Sequence, residues 1–485
     1  MMVLTSNAGD RETSRLWRFR VLWACPLGLS FVLAVFASFR GGYIGPDYYT
    51  HFARLTEWPK IFDFSTTSPP TYYLVGHALF LFIRSNDAFP LALSIAQAVV
   101  NTLVMCWFFL YTERRFNSPL IHLGFAFFLA FLPVRIIHAT TIGTDATTIP
   151  LFVLLLFLFD RFLSDESSTL KNAGLLGLGL ALAVWTKYSF MALIPAIFLL
   201  LIGIWARRGW KFRRFIATCA LGLVLPSALA LHSFWASSRV HGYNTEKHWL
   251  AKGEPPDMDY RDLFSVKAND IQLFRAPEYF KREILAPHRH SYIGLVHLGV
   301  FADNMNLFQL PPVGKDLGSI WEPDDKTRRV WKTLVMQTSM SFGILWTLFA
   351  LIGVPWSLFR AARNLFNQKL EREDVVAILG IAFFLVIFLP IPFVRWGVLF
   401  GYWTPRLILP ALCSFFLAAF LLVDKKLHGI RSVWHSPFSL WLRFNAQSKL
   451  SCSFDRDWTF ACNHAPKRAR LDGEVWVRCQ PESRG

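Results

Sequence analysis

Long apolar runs, separated by short polar and mostly basic punctuation, dominate the chain. They cover Val21–Phe39, Phe89–Tyr111, Pro119–His138, Ile149–Phe162, Gly174–Lys187, Phe190–Trp205 and Phe215–Trp235. After a polar segment at 236–335 come three more, at about 336–359, 375–394 and 406–423. Several reach or approach the ~20 apolar residues that cross a hydrocarbon core of ~30 Å. The pattern predicts an all-α polytopic membrane protein with about ten transmembrane helices over 1–424. A basic cytoplasmic tail, 425–485, has few apolar periods and is expected to be poorly ordered. The first run has no small-residue exit site and is followed by further spans, so it reads as a retained span and not a cleaved signal.

Residues 71–84 form a shorter apolar run of 14 residues ending at Arg84. That is short for a span and predicts a helix lying at the interface. Charge supports this count. Arg11, Arg15, Arg18 and Arg20 precede the first span and place the N-terminus inside. With 71–84 held at the interface, the basic clusters at 113–115, 207–214, 360–372 and 425–431 all fall inside too. Counting 71–84 as a span would push all of these clusters outside. The first outer loop is then 40–84, and 236–335 becomes a small outer subdomain between spans; outer loops of such length are often functional.

Composition narrows the class further. With 54% hydrophobic and only 17% charged residues, the chain is too apolar for a soluble globular protein. Its net charge of +17 is accounted for by lysines and arginines in cytoplasmic loops, and no nucleic-acid-binding module accompanies it. Of seven cysteines, Cys25, Cys106, Cys219 and Cys413 lie in apolar runs and Cys452, Cys462 and Cys479 in the tail, so no structural disulfide is expected outside. There is no Asn-x-Ser/Thr sequon and no ER-retrieval ending, which favours a bacterial inner membrane with the functional face outside.

The candidate chemistry gathers on that face. Asp47, His51, Arg135, His138, Asp145, Lys187, Arg395 and Arg406 all fall at or near outer ends of spans. Ionisable residues at membrane depth are costly and usually face a functional cavity. The first loop adds Tyr48, Tyr49 and a Ser-Pro-Pro-Thr-Tyr-Tyr turn at 68–73, a mixture of carboxylate, imidazole and aromatics suited to a sugar and a lipid headgroup. Each residue also has a plain structural reading: Asp47 and Asp145 as helix N-caps, Lys187 as a snorkelling side chain, Arg406 as an interfacial anchor beside Tyr402 and Trp403. His51 and His138 could each hydrogen-bond a carboxylate or a sugar, or have no role.

Four segments resemble the membrane-embedded GT-C glycosyltransferases, in particular the enzymes related to protein O-mannosyltransferases and lipid A aminoarabinose transferases. Asp47-Tyr-Tyr-Thr-His51 followed by Ser68-Pro69-Pro70-Thr-Tyr-Tyr is similar to the family's acidic first outer loop and its His-Pro-Pro-Leu turn. Thr141-Ile-Gly-Thr-Asp145-Ala resembles the acidic residue of the second outer loop. Ala183-Val-Trp-Thr-Lys187-Tyr188 is similar to a span end in "Leu-Thr-Lys". Tyr402-Trp-Thr-Pro-Arg406-Leu-Ile-Leu-Pro410 resembles the "Arg-Tyr-Leu-Leu-Pro" opening of a late span. Two departures stand out: a single carboxylate at Asp47 where relatives carry Asp-Glu, and Ser68 where they carry His.

The resemblance implies a transferase that uses a polyprenyl-phosphate sugar as donor and inverts the anomeric carbon. It implies catalytic roles for Asp47, as base, and Asp145, with Lys187, Arg406, Arg395 and Arg135 on the donor phosphate. His51, Tyr48, His138 and Tyr188 would line the substrate. Partners are then membrane lipids, the lipid-linked donor and a glycan, lipid or protein acceptor. No resident cofactor is implied. A divalent metal held by Asp47, Asp145 and a histidine stays open, although no spacing specific to Zn, Mg or Mn is present. The rival readings are a transporter or flippase of a lipid-linked sugar, a polymerase or ligase using a diphosphate-linked oligosaccharide, and a non-catalytic scaffold.

Overall fold

The computed structural model describes residues 8–41, 44, 48–62, 69–113, 115–164, 168–240, 296–297, 300–301, 326–367, 372–388 and 407–427. Among them the regular structure is helical throughout. α1 (Ala8–Phe39), α2 (Tyr48–Thr56) and α3 (Thr71–Ile83) are followed by α4 (Ala88–Glu113), α5 (Pro119–Ala130) and α6 (Pro133–Thr140). Then come α7 (Thr148–Ser164), α8 (Thr169–Val184), α9 (Leu193–Arg208), α10 (Phe212–Cys219) and α11 (Leu225–Val240). The later helices are α12 (Lys326–Phe366), α13 (Arg372–Phe388) and α14 (Leu407–Leu427). Most of the 236–335 subdomain and the whole tail from 428 lie outside the described residues.

Seven helices are long and apolar enough to cross a membrane, and the bent pair α5–α6 makes an eighth span if it crosses as one. This is an all-α, multi-pass membrane architecture. The expected tenfold count would need the two shorter apolar helices α8 and α13 as well. α3 is a 13-residue helix, as its pattern predicts.

One expected span is broken. The run 119–138 reads as continuous by hydropathy, yet α5 and α6 meet at a 50° bend. Pro133 at the first turn of α6 is the cause: it removes a donor and holds the preceding Leu132 extended, at φ −60° and ψ 117°. A broken helix leaves carbonyls without intrahelical partners. The Arg135 guanidinium fills that need, donating to the Ala130 carbonyl and, at 3.0 Å, to Ser30 Oγ on α1.

The main core is a continuous apolar cluster rich in phenylalanine, running from Trp23 and Phe109 through Phe125, Phe152 and Phe190 to Phe383 and Phe420. Helices approach closely where side chains vanish. A Cβ on Gly177 of α8 would stand 2.2 Å from the Leu221 carbonyl oxygen, inside the single π-turn that interrupts 220–224. A second, smaller cluster belongs to the first loop: Leu55, Ile61, Tyr72, Tyr73, Phe89, Leu93 and Ile142 are buried together. The loop is therefore a folded helical cap with its own core, seated on the start of α4 and on the turn after α6.

Candidate functional site

Two interrupted helix ends build the site. After α6 the backbone is extended at Thr141 and Gly143, then closes a short 3-10 turn, Thr144–Thr147, that carries Asp145. After α8 it is extended at Lys187 before a second 3-10 turn, Tyr188–Ala192. The two turns bring together side chains 42 residues apart: the Lys187 ammonium donates directly to the Asp145 carboxylate. Lys187 is 6% exposed. His138, at the end of α6, completes the group with Nδ1 3.9 Å from the second Asp145 oxygen.

The first-loop cap closes on these turns from the other side. Thr71 N–H donates to the Trp185 carbonyl at 3.2 Å, tying α3 to the segment that bears Lys187. His51 on α2 lies against Gly143, where a Cβ would stand only 3.2 Å from the imidazole. That close approach is what the glycine permits; its backbone is merely extended. The other face of His51 is held by the Tyr73 hydroxyl, 2.6 Å from Nδ1, with the two rings stacked.

Tyr73 is held in turn by Arg54, whose guanidinium carbon stands 3.8 Å from the ring centroid. Arg54 is only 2% exposed and donates to the carbonyls of Lys60 (3.1 Å) and Ile61 (2.8 Å). It also lies within electrostatic reach of Tyr188. Burying an arginine in a loop this small is costly unless its donors are matched; here they hold the turn between α2 and α3 and the aromatic that positions His51.

Beneath the cluster, α4 contributes a polar face. Ser94, Gln97 and Asn101 are all buried. Gln97 donates to the Tyr72 hydroxyl oxygen at 2.6 Å, which also accepts the Gly143 N–H at 3.0 Å. Burial pushes the Tyr72 phenol well above the ordinary tyrosine range, keeping it a neutral hydroxyl.

The structure thus brings Asp145, Lys187 and His138 into one group, with His51 beside it. Tyr48, with Phe52 stacked on it, is half-buried against the cap's core, and Tyr49 beside it is exposed. Tyr188 follows Lys187 at the start of its turn. No described contact joins Arg135 to this group; its bonds serve the α5–α6 break. Asp47, Arg395 and Arg406 lie outside the described residues. Among the described residues no three His, Cys, Asp or Glu side chains gather as a metal site would need.

Sequence reasoning passed over Arg54 and the α4 face, and gave Tyr72 and Tyr73 no role beyond the turn at 68–73. A signal existed for the α4 face: Ser94, Gln97 and Asn101 recur at i, i+3 and i+7 inside an apolar span. Chemically, a buried lysine beside a carboxylate and imidazoles can bind an anion and move a proton. No protein-family model, curated protein or solved structure matches the chain.

Proposed function

We propose that the protein is an integral-membrane glycosyltransferase that moves a sugar from a polyprenyl-phosphate donor to an acceptor, with inversion, at the outer face of a bacterial inner membrane. The observation that carries this reading is the pair of buried Lys187 and half-buried Asp145 with His138 beside it, capped by the aromatic first loop at the end of the bundle away from the basic clusters. A phosphate leaving group needs fixed positive charge where negative charge develops. Lys187 supplies it as a point charge, with Asp145 holding the ammonium in place before donor arrives. Arg395 and Arg406 would share the phosphate.

In the step itself the acceptor oxygen attacks the anomeric carbon and the bond from that carbon to the phosphate oxygen breaks. The electron pair leaves on the phosphate, and the acceptor proton passes to Asp47 as base. His51, Tyr48, His138 and Tyr188 would contact sugar or acceptor. The ten-span topology with α8 and α13 crossing and α3 at the interface belongs to the same proposal, as does the GT-C fold.

One observation favours a second reading. The α5–α6 pair is a broken helix with a buried arginine at the break, a device transporters use. The experiment separates the two. Purified protein in nanodiscs is mixed with radiolabelled polyprenyl-phosphate and polyprenyl-diphosphate sugars and a membrane extract, and label leaving the lipid is followed. Transfer by the wild type, lost in Asp47→Asn while donor still binds, supports the transferase with Asp47 as base. Transfer surviving in Asp47→Asn keeps the enzyme and removes that base. Transfer from the diphosphate donors alone points to a polymerase or ligase. Donor binding without transfer, with label crossing the bilayer of proteoliposomes, establishes the transporter.

A further inference from the structure

We infer that Ser94, Gln97 and Asn101 of α4, with Tyr72, act as positioning residues that set where the Asp145 carboxylate stands; this rests on the reading of Asp145 and Lys187 as the working pair. The three α4 residues share one face of the helix and rise along it by one and two turns. Each reaches a different point on the segment that carries Asp145. Ser94 Oγ donates to the Thr140 carbonyl at 2.7 Å, and Ser38 Oγ of α1 stands 2.7 Å behind it. Gln97 reaches Gly143 through the Tyr72 oxygen, which both groups approach as donors. Asn101 Nδ2 donates to the Ala146 carbonyl at 2.9 Å.

The bonds therefore bracket Asp145 from the end of α6 to the residue after it. Residues 141–143 make no helix of their own, and in an apolar bundle each of their polar backbone groups needs a partner. A span built only to cross lipid would carry apolar side chains at 94, 97 and 101. These three polar side chains sit opposite the non-helical stretch 141–143 that joins α6 to the turn carrying Asp145. Their partners define its course, so the Asp145 carboxylate meets Lys187 at a place chosen by α4.

The test uses the full-length protein in nanodiscs and the rate at which Lys187 is acylated by an amine-reactive ester at fixed pH. Peptide mass spectrometry reads the rate, with the exposed Lys60 as internal reference. Asn101→Leu and Gln97→Leu should each raise Lys187 labelling about fivefold, the opening expected from one lost buried hydrogen bond. Tyr72→Phe, nearly the same shape, should do likewise, and it keeps the test alive if a leucine variant fails to fold. Thr102→Val is the control on the same helix, because the Thr102 hydroxyl bonds only its own helix at Ala98; it should leave Lys187 unchanged. Asp424→Ala, which loosens the far end of the bundle, should also leave it unchanged.

Wild-type labelling in folded Asn101→Leu, Gln97→Leu and Tyr72→Phe would overturn the inference. So would an equal rise in Thr102→Val or Asp424→Ala, since that marks general loosening. Labelling needs no turnover. A wild type that transfers no sugar therefore sinks the enzyme reading, whereas a labelling result against α4 sinks only the positioning.

Discussion

Carboxylates stand at both ends of the bundle, sealed at one and partly exposed at the other, and they are used in different ways. At one end Asp424 of α14, 1% exposed, accepts the backbone N–H groups of Asn117 (2.7 Å) and Ser118 (2.8 Å) and the Asn117 amide. It caps the start of α5 from 306 residues away, where the helix dipole favours negative charge. Asp374 at the same end is wholly buried and takes Arg360 and Asn364. Lys425 lies over Trp356 beside them. The partners described there are backbone and side-chain groups of neighbouring helices and their ends, and both carboxylates are buried, so these acids fasten helices.

Asp145, at the other end, has a side chain 17% exposed and is paired with a mobile type of side chain, a lysine, between two interrupted helices. The sealed end shows what this fold does with a carboxylate when only stability is at stake. The Asp145 end departs from that pattern in exposure, in partner and in backbone regularity together. Such departures are what a functional or strained site is expected to show.

The difference can be broken most forcefully at Lys187. Lys187→Met should reduce label transfer by about 100-fold or more, the scale of losing a fixed charge at a developing anion. It should also cost about 3 kcal/mol by leaving a largely buried carboxylate unpaired. Adding Asp145→Asn should restore the melting temperature and leave transfer absent; a double variant that regains transfer would show the pair to be structural like its counterparts. Asp424→Ala comes next in size for stability, at about 3 kcal/mol for its charge-assisted bonds. Thermal unfolding in detergent reads this, while transfer per folded molecule should stay at the wild-type level.

Smaller changes sharpen the contrast inside the site. Gly143→Ala pushes a methyl against His51 and should cost about 1 kcal/mol. It should lower transfer about tenfold, seen as a fall in turnover with donor binding retained. Tyr73→Phe removes the hydroxyl that holds His51 and should cost about 1 kcal/mol, with a severalfold loss of transfer. A Tyr73→Phe protein with unaltered transfer would take His51 orientation out of the reaction.

Much of this arrangement was legible along the chain. Apolar run lengths mark the helices that can cross a membrane, and the basic clusters mark helix ends that the contacts gather at one end: 424 with 117 and 118, 425 with 356, 208 with 163, 214 with 169. Helix 71–83 and the polar stretch ending at Asp145 follow from local pattern as well. These features depend on a few consecutive residues and on water against lipid, and such preferences act segment by segment.

Partnership does not act that way. A lysine ending a span reads the same whether it snorkels or meets Asp145, and the tertiary fold alone brings 187 to 145. Arg135 shares an outer span end with the other candidates by sequence, yet the Pro133 break turns its guanidinium to the Ala130 carbonyl and Ser30. Arg54 looks like a solvated charge on an amphipathic helix until the cap folds and buries it under Tyr73. Hydropathy and charge thus determined which segments are apolar helices and which of their ends are basic. Which polar groups are left without a local partner, and which distant residue satisfies each, was decided only when broken helix ends met inside a bundle that offers no water.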